Sequence, residues 1–122
     1  MLDYNTITER FEKLKAERRL LMEAILHTHV NDDAEVIAGF VKRLRICDNR
    51  LCRTEKRIRF VLKRISDPRL CNILEAKIFL ELTWEKVAEH VYCDVRTVYR
   101  LKKKAEDEFT RILRRDRKDV CR

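Results

Sequence analysis

Apolar residues recur along this chain at intervals of three, four and seven, so the pattern predicts helices. Ile7, Phe11, Leu14, Leu21 and Ile25 fall on one stripe, with Arg18 interrupting it. Thr6 followed by Glu9 forms a Thr-x-x-Glu capping box and predicts the start of the first helix, which should run to about His29. Asn31-Asp32-Asp33 then supplies a break and a new N-cap, with carboxylates at the positive end of the next helix dipole.

The second predicted helix is the longest. Ile37, Leu44, Leu51, Ile58 and Ile65 repeat every seven residues, with Phe40, Cys47 and Val61 at the intermediate positions. Such a heptad seam is what two helices of a hairpin, or two subunits of a coiled coil, need to bury. Both arrangements fit the pattern. Gly39 lies inside this helix and costs about 1 kcal/mol relative to alanine unless a close helix approach requires it.

Asp67-Pro68 marks the next boundary, because aspartate caps well and proline suits the first helical position. Leu70, Ile73, Leu74, Ile78 and Leu82 then predict a short amphipathic third helix. Thr83 can cap a fourth from Trp84 to about His90, with Val87, Ala88 and Val91 inward. Asp94 caps a fifth, lined by Val98, Leu101, Ala105, Phe109 and Ile112. The tail from Arg114 is charged, with no apolar anchor before Val120, and is expected to fray.

Composition narrows the class. One Gly and one Pro in 122 residues are too few breakers for an all-β fold, while 45% hydrophobic residues can bury a core, so the chain reads as all-α. The expected organisation is a long helical hairpin or coiled coil over 1–66 and a smaller helical domain over 67–122. Neither an apolar run of membrane-spanning length nor a signal-like N-terminus occurs, which implies a cytoplasmic protein without a membrane partner. The five cysteines are odd in number and never in a Cys-x-x-Cys arrangement, so they read as reduced thiols. His27 and His29 point to different faces of a helix and make no metal site.

Charge is uneven as well as positive. The total is +8, but residues 1–41 carry 5 basic and 8 acidic side chains, residues 42–64 carry 10 and 2, and residues 84–122 carry 12 and 8. A polyanion suits the two basic segments, nucleic acid before an anionic membrane. Lys42, Arg43, Arg45, Arg50, Arg53 and the cations that follow to Arg64 lie opposite the heptad seam, either as a solvated face or as one that tracks phosphates.

Two short helices joined by a few residues, the second with basic and polar side chains at its start, make a helix-turn-helix, whose second helix fits the DNA major groove. Thr83 to Leu101 fits that pattern throughout. Its Leu-Thr-Trp-Glu-Lys-Val-Ala-Glu start, its Asp94-Val-Arg-Thr-Val-Tyr-Arg-Leu centre and its Lys104-Ala105 end resemble the helix-turn-helix of sigma-factor region 4. Within that class the segment is most similar to the phage activators of late transcription of the ArpU and RinA type. It departs from them at the turn, where Tyr92 stands in place of the usual Gly. The resemblance implies a sequence-specific DNA-binding regulator acting in a bacterial host cell at the nucleoid, with RNA polymerase contact or homodimerisation through the long helices.

With Val98, Leu101 and Ala105 inward, Arg96, Thr97, Tyr99, Arg100, Lys103 and Lys104 remain outward. Arg96 and Arg100 are one turn apart, and their forked guanidinium groups can pair with guanine O6 and N7. Thr97 and Tyr99 suit a thymine methyl or a phosphate, although Tyr99 equally suits packing on the fourth helix. Lys103 and Lys104 suit phosphates, as do the backbone N–H groups at Thr83. The alternative is a helical interaction protein, an anti-sigma-like adaptor or a phage packaging subunit that only organises DNA. No Gly-rich phosphate loop, nucleophile motif or paired-carboxylate arrangement points to an enzyme or to a cofactor.

Overall fold

Asp3, rather than Thr6, starts the first helix. In the computed structural model, which describes residues 2–28 and 34–120 and the side chains of those up to 116, the Thr6 N–H donates to Asp3 Oδ1 at 2.7 Å and the Ile7 N–H to the Asp3 carbonyl. The helix, α1, spans Tyr4–Leu26. The hydrogen bonds from Thr6 hold the Asp3 carboxyl below the usual carboxylate range. The cap sits earlier than the capping box predicts because Leu2 and Tyr4 are buried and fix the chain before Thr6 is reached. At the other end α1 stops at Leu26, short of His29, and Thr28 closes the turn by donating its hydroxyl to the Ile25 carbonyl. His29 and Asn31-Asp32-Asp33 lie outside the described residues.

The chain is all-α, with four further helices: α2 (Ala34–Lys63), α3 (Pro68–Phe79), α4 (Trp84–His90) and α5 (Val95–Val120). Packing divides it into two units, Glu9–Arg57 and Met1–Thr8 with Ile58–Arg122. Both boundaries fall inside long helices, where no change of composition marks them.

In the first unit Leu14 and Leu21 of α1 bury against Cys47 of α2, with Phe40, Leu44 and Leu51 of the heptad seam packed around them. Arg18, the break in the α1 stripe, reaches Asp48 at 2.8 Å. The Cys47 thiol donates to the Leu14 carbonyl, and burial pushes its pKa up. It is free, as are Cys52, Cys71 and Cys93, while Cys121 lies outside the described residues. Gly39 supports no close approach, since a Cβ built there meets nothing within 4 Å.

In the second unit α3 packs on α4 and α5, and α4 packs on α5. Caps arise where the sequence places them. Asp67 accepts from the Arg69 N–H at 3.0 Å, Thr83 from the Lys86 N–H at 3.3 Å, and Asp94 from the Arg96 N–H at 3.4 Å. The residues that fill the core are Ile58, Val61, Ile73, Leu74, Val87 and Val98, joined by Phe109 and Leu113 of α5. Of the expected inward residues, Leu82 and Val91 are only half-buried. The charged tail departs from expectation more strongly, because α5 continues as helix through Val120. Ile112 and Leu113 are buried and anchor it, and Arg114 Nε donates to the Leu2 carbonyl at 3.3 Å.

Both short helices end on a left-handed residue that is not glycine, Glu81 (φ 54°) after α3 and Tyr92 (φ 57°) after α4. At Tyr92 the motif is complete: the Cys93 N–H donates to the Ala88 carbonyl and the Tyr92 N–H to the Glu89 carbonyl, the paired bonds of a Schellman end. The single glycine thus sits in a helix interior that does not need it, while a turn that favours glycine carries an exposed tyrosine. Two substitutions should therefore stabilise the protein, Gly39→Ala by about 0.5–1 kcal/mol through backbone entropy and Tyr92→Gly by about 0.5–1 kcal/mol through relief of the left-handed penalty. Urea unfolding midpoints measure both. A lowered midpoint for Tyr92→Gly would mean that the tyrosine ring itself holds the turn.

Candidate functional site

The turn of residues 91–94 sets α4 and α5 at a fixed crossing, and two contacts lock it beyond the buried valines. The Tyr99 hydroxyl donates to Glu85 Oε1 at 2.9 Å, tying the second turn of α5 to the first turn of α4. Trp84 of α4 holds two ammonium groups over its ring, Lys77 of α3 at 5.3 Å and Lys102 of α5 at 5.0 Å from the centroid. One indole therefore joins all three helices. The Glu85 carboxyl is held below its usual range, first by its own backbone N–H and then by the Tyr99 and Thr83 hydroxyls, so it is a settled anion at neutral pH.

With the crossing set, the outward residues of α5 can be placed. Arg96 and Arg100 are both exposed, one turn apart, and the buried residues Val98, Leu101 and Ala105 fix the opposite face. Thr97 is half-buried. Tyr99 is 44% exposed, with its hydroxyl engaged by Glu85; of the two roles open to it in the sequence, the bond to the fourth helix is the one formed. Thr83 is exposed, but its side-chain oxygen is occupied as the α4 cap.

Lys103 and Lys104 are exposed and line a shallow depression with Arg100 and Asp107. A fourth cation lines it too, Arg69 from the first turn of α3. Sequence reasoning passes over Arg69, since α3 is read only as a short amphipathic helix and nothing local signals its nearness to α5. Its one legible sign is position, two residues past the Asp67 cap, where the carboxylate meets the guanidinium at 3.3 Å. Lys102 is the converse case: it belongs to the same basic run as Lys103 and Lys104, but lies over the Trp84 ring.

Chemically this surface offers two forked guanidinium groups in register, flanked by further cations. It suits a planar or phosphorylated anion. Among the described residues no three His, Cys, Asp or Glu side chains gather as metal ligands, and no helix is long and apolar enough to cross a membrane. No protein-family model, curated protein or solved structure matches the chain.

Proposed function

We propose that the chain is a sequence-specific double-stranded DNA-binding protein that regulates transcription, with α4 and α5 as its helix-turn-helix. The observation that carries this reading is the paired exposure of Arg96 and Arg100 on the first turns of α5, opposite a face buried through Val98, Leu101 and Ala105. A helix presented in this way can enter the major groove and place two guanidinium forks at guanine edges. Lys103, Lys104 and Arg69 then meet phosphates, which set register without reading sequence. The likeness of residues 82–105 to the phage late-transcription activators gives the setting, the cytoplasm of a bacterial host, with RNA polymerase or a second copy of the chain as the partner of the long helices.

Selection from random duplexes, followed by binding titrations on the selected and a scrambled sequence, tests this proposal. Arg100→Ala is expected to weaken the selected duplex by about 1–3 kcal/mol and to leave the scrambled one nearly unchanged. Lys104→Ala should weaken both alike. If Arg100→Ala weakened both to the same degree, Arg100 would be a phosphate contact and base reading would have to lie elsewhere.

A further inference from the structure

The depression holding Arg100 is the first of three that adjoin along α5. It shares Asp107 with a second, which Arg111, Arg114 and Arg115 line, and the second shares Arg111 and Arg115 with a third. Across the third lie Lys63, the last residue of α2, and Arg64, which follows it. One basic surface therefore runs from the start of α5 to beyond its middle, interrupted only by Asp107 and bounded by Asp116 among its lining residues.

Length decides what such a surface can meet. From Arg100 to Arg115 is fifteen residues, about 22 Å at the helical rise of about 1.5 Å per residue. The major groove is about 12 Å wide, so a helix that reads bases with its first two turns carries its later turns out past the groove edge, over the flanking backbone. The side chains waiting there have the right chemistry. The guanidinium carbon of Arg64 lies 4.0 Å from the centroid of the Phe60 ring, a cation–π contact that holds this exposed cation at the groove. Lys63 and Arg115 are exposed. Arg111 is already held by Glu108 at 2.6 Å and serves to position the groove rather than to bind.

We infer that the Lys63, Arg64 and Arg115 groove is a second phosphate site, which grips the DNA backbone outside the base-reading segment. The inference rests on the DNA-binding reading above. An acidic protein segment would also suit these three cations, but the groove is continuous with the base-reading end along a lining in which Asp107 and Asp116 are the only carboxylates, so the duplex already held at Arg100 is its nearest polyanion. This site also gives a role to one end of the basic face of α2, which the sequence leaves open between solvation and phosphate contact.

The test is a salt titration of binding by the full chain, wild type against Lys63→Gln/Arg115→Gln, on a long duplex and on one trimmed to the base-reading core. Both positions are exposed, so the thermal melt of the double variant should match wild type. On the long duplex the slope of log affinity against log salt should fall by about 0.9 for each phosphate that the variant leaves without its cation, on selected and scrambled sequences alike. In affinity terms, the weakening between about 50 and 200 mM salt should shrink roughly three- to fourfold for each such phosphate. On the trimmed duplex the two proteins should give the same slope. Equal slopes on the long duplex would overturn the second site while leaving the reading at Arg100 intact, and a double variant that instead failed to bind a polyglutamate peptide held by wild type would assign the groove to an acidic partner. Failure of wild type to bind any duplex would overturn both.

Discussion

Phe109→Ala is expected to cost about 3–5 kcal/mol, the largest loss from any single truncation in this protein. The ring is fully buried in α5 and meets Tyr4 edge to face, with centroids 5.4 Å apart at 84°. That geometry places the positive edge of one ring against the negative face of the other and adds about 0.5–1.5 kcal/mol to the burial itself. The pairing also joins the two ends of the chain. Tyr4 is held by two groups of the same turn of α5, since its N–H donates to Thr110 Oγ1 at 3.0 Å beside the Phe109 ring, and burial drives its phenol well above the usual range. Removing the ring leaves a cavity and frees the N-terminal segment together, so the loss should approach the whole stability of a domain near the low end of about 5–15 kcal/mol. Urea unfolding followed by Trp84 fluorescence reads the effect in the right unit, because Trp84 is the only tryptophan in the chain. Phe109→Leu should recover a large part of it. A cost below about 1 kcal/mol for the alanine would mean that the site collapses to fill the space, against the close packing of a native interior.

The same pairing explains where the sequence misleads about α1. Starts that depend on one residue and its next three, at Asp67, Thr83 and Asp94, are legible because the cap and its N–H donor are neighbours in sequence. The start of α1 is not, since Thr6 with Glu9 is a good local box and loses to Asp3 only because Leu2 and Tyr4 are buried by residues more than a hundred positions away. Backbone ends divide in the same way. Tyr92 stands out in the sequence against the glycine expected there, whereas Glu81, in the same left-handed conformation, carries no such signal. For the candidate site the outward set of α5 follows from helical period alone. What the period cannot supply is tertiary: Arg69 lies beside Lys104 because α3 packs on α5, and Arg59 of α2 lies over the ring of Phe79 of α3. A sequence shows the charge of each of these arginines but not the group it meets.

Leu113→Ala separates a frayed tail from a packed one, and it is expected to cost about 2–5 kcal/mol. Read as a sequence, the chain from Arg114 is charged with no apolar anchor before Val120, and the leucine just before it, Leu113, has no assigned place in the core. In the fold that leucine is fully buried, next to a buried Ile112, so the helix around it is fixed by side-chain burial rather than by propensity. Were the tail frayed, truncating Leu113 would change the unfolding midpoint no more than truncating Leu80, whose side chain is half exposed and should cost less than about 1 kcal/mol. The comparison has a functional side. Arg111 and Arg115 flank Leu113 by two residues on either side, and the groove they line with Lys63 exists only while this part of α5 stays helical. Leu113→Ala, titrated at a temperature where the rest of the unit remains folded, should therefore flatten the salt slope on a long duplex as the Lys63→Gln/Arg115→Gln pair does, while discrimination at Arg100 persists. Loss of both together would show instead that α5 folds and unfolds as one piece from Val95 onward, and that its reading end depends on the anchor at Leu113.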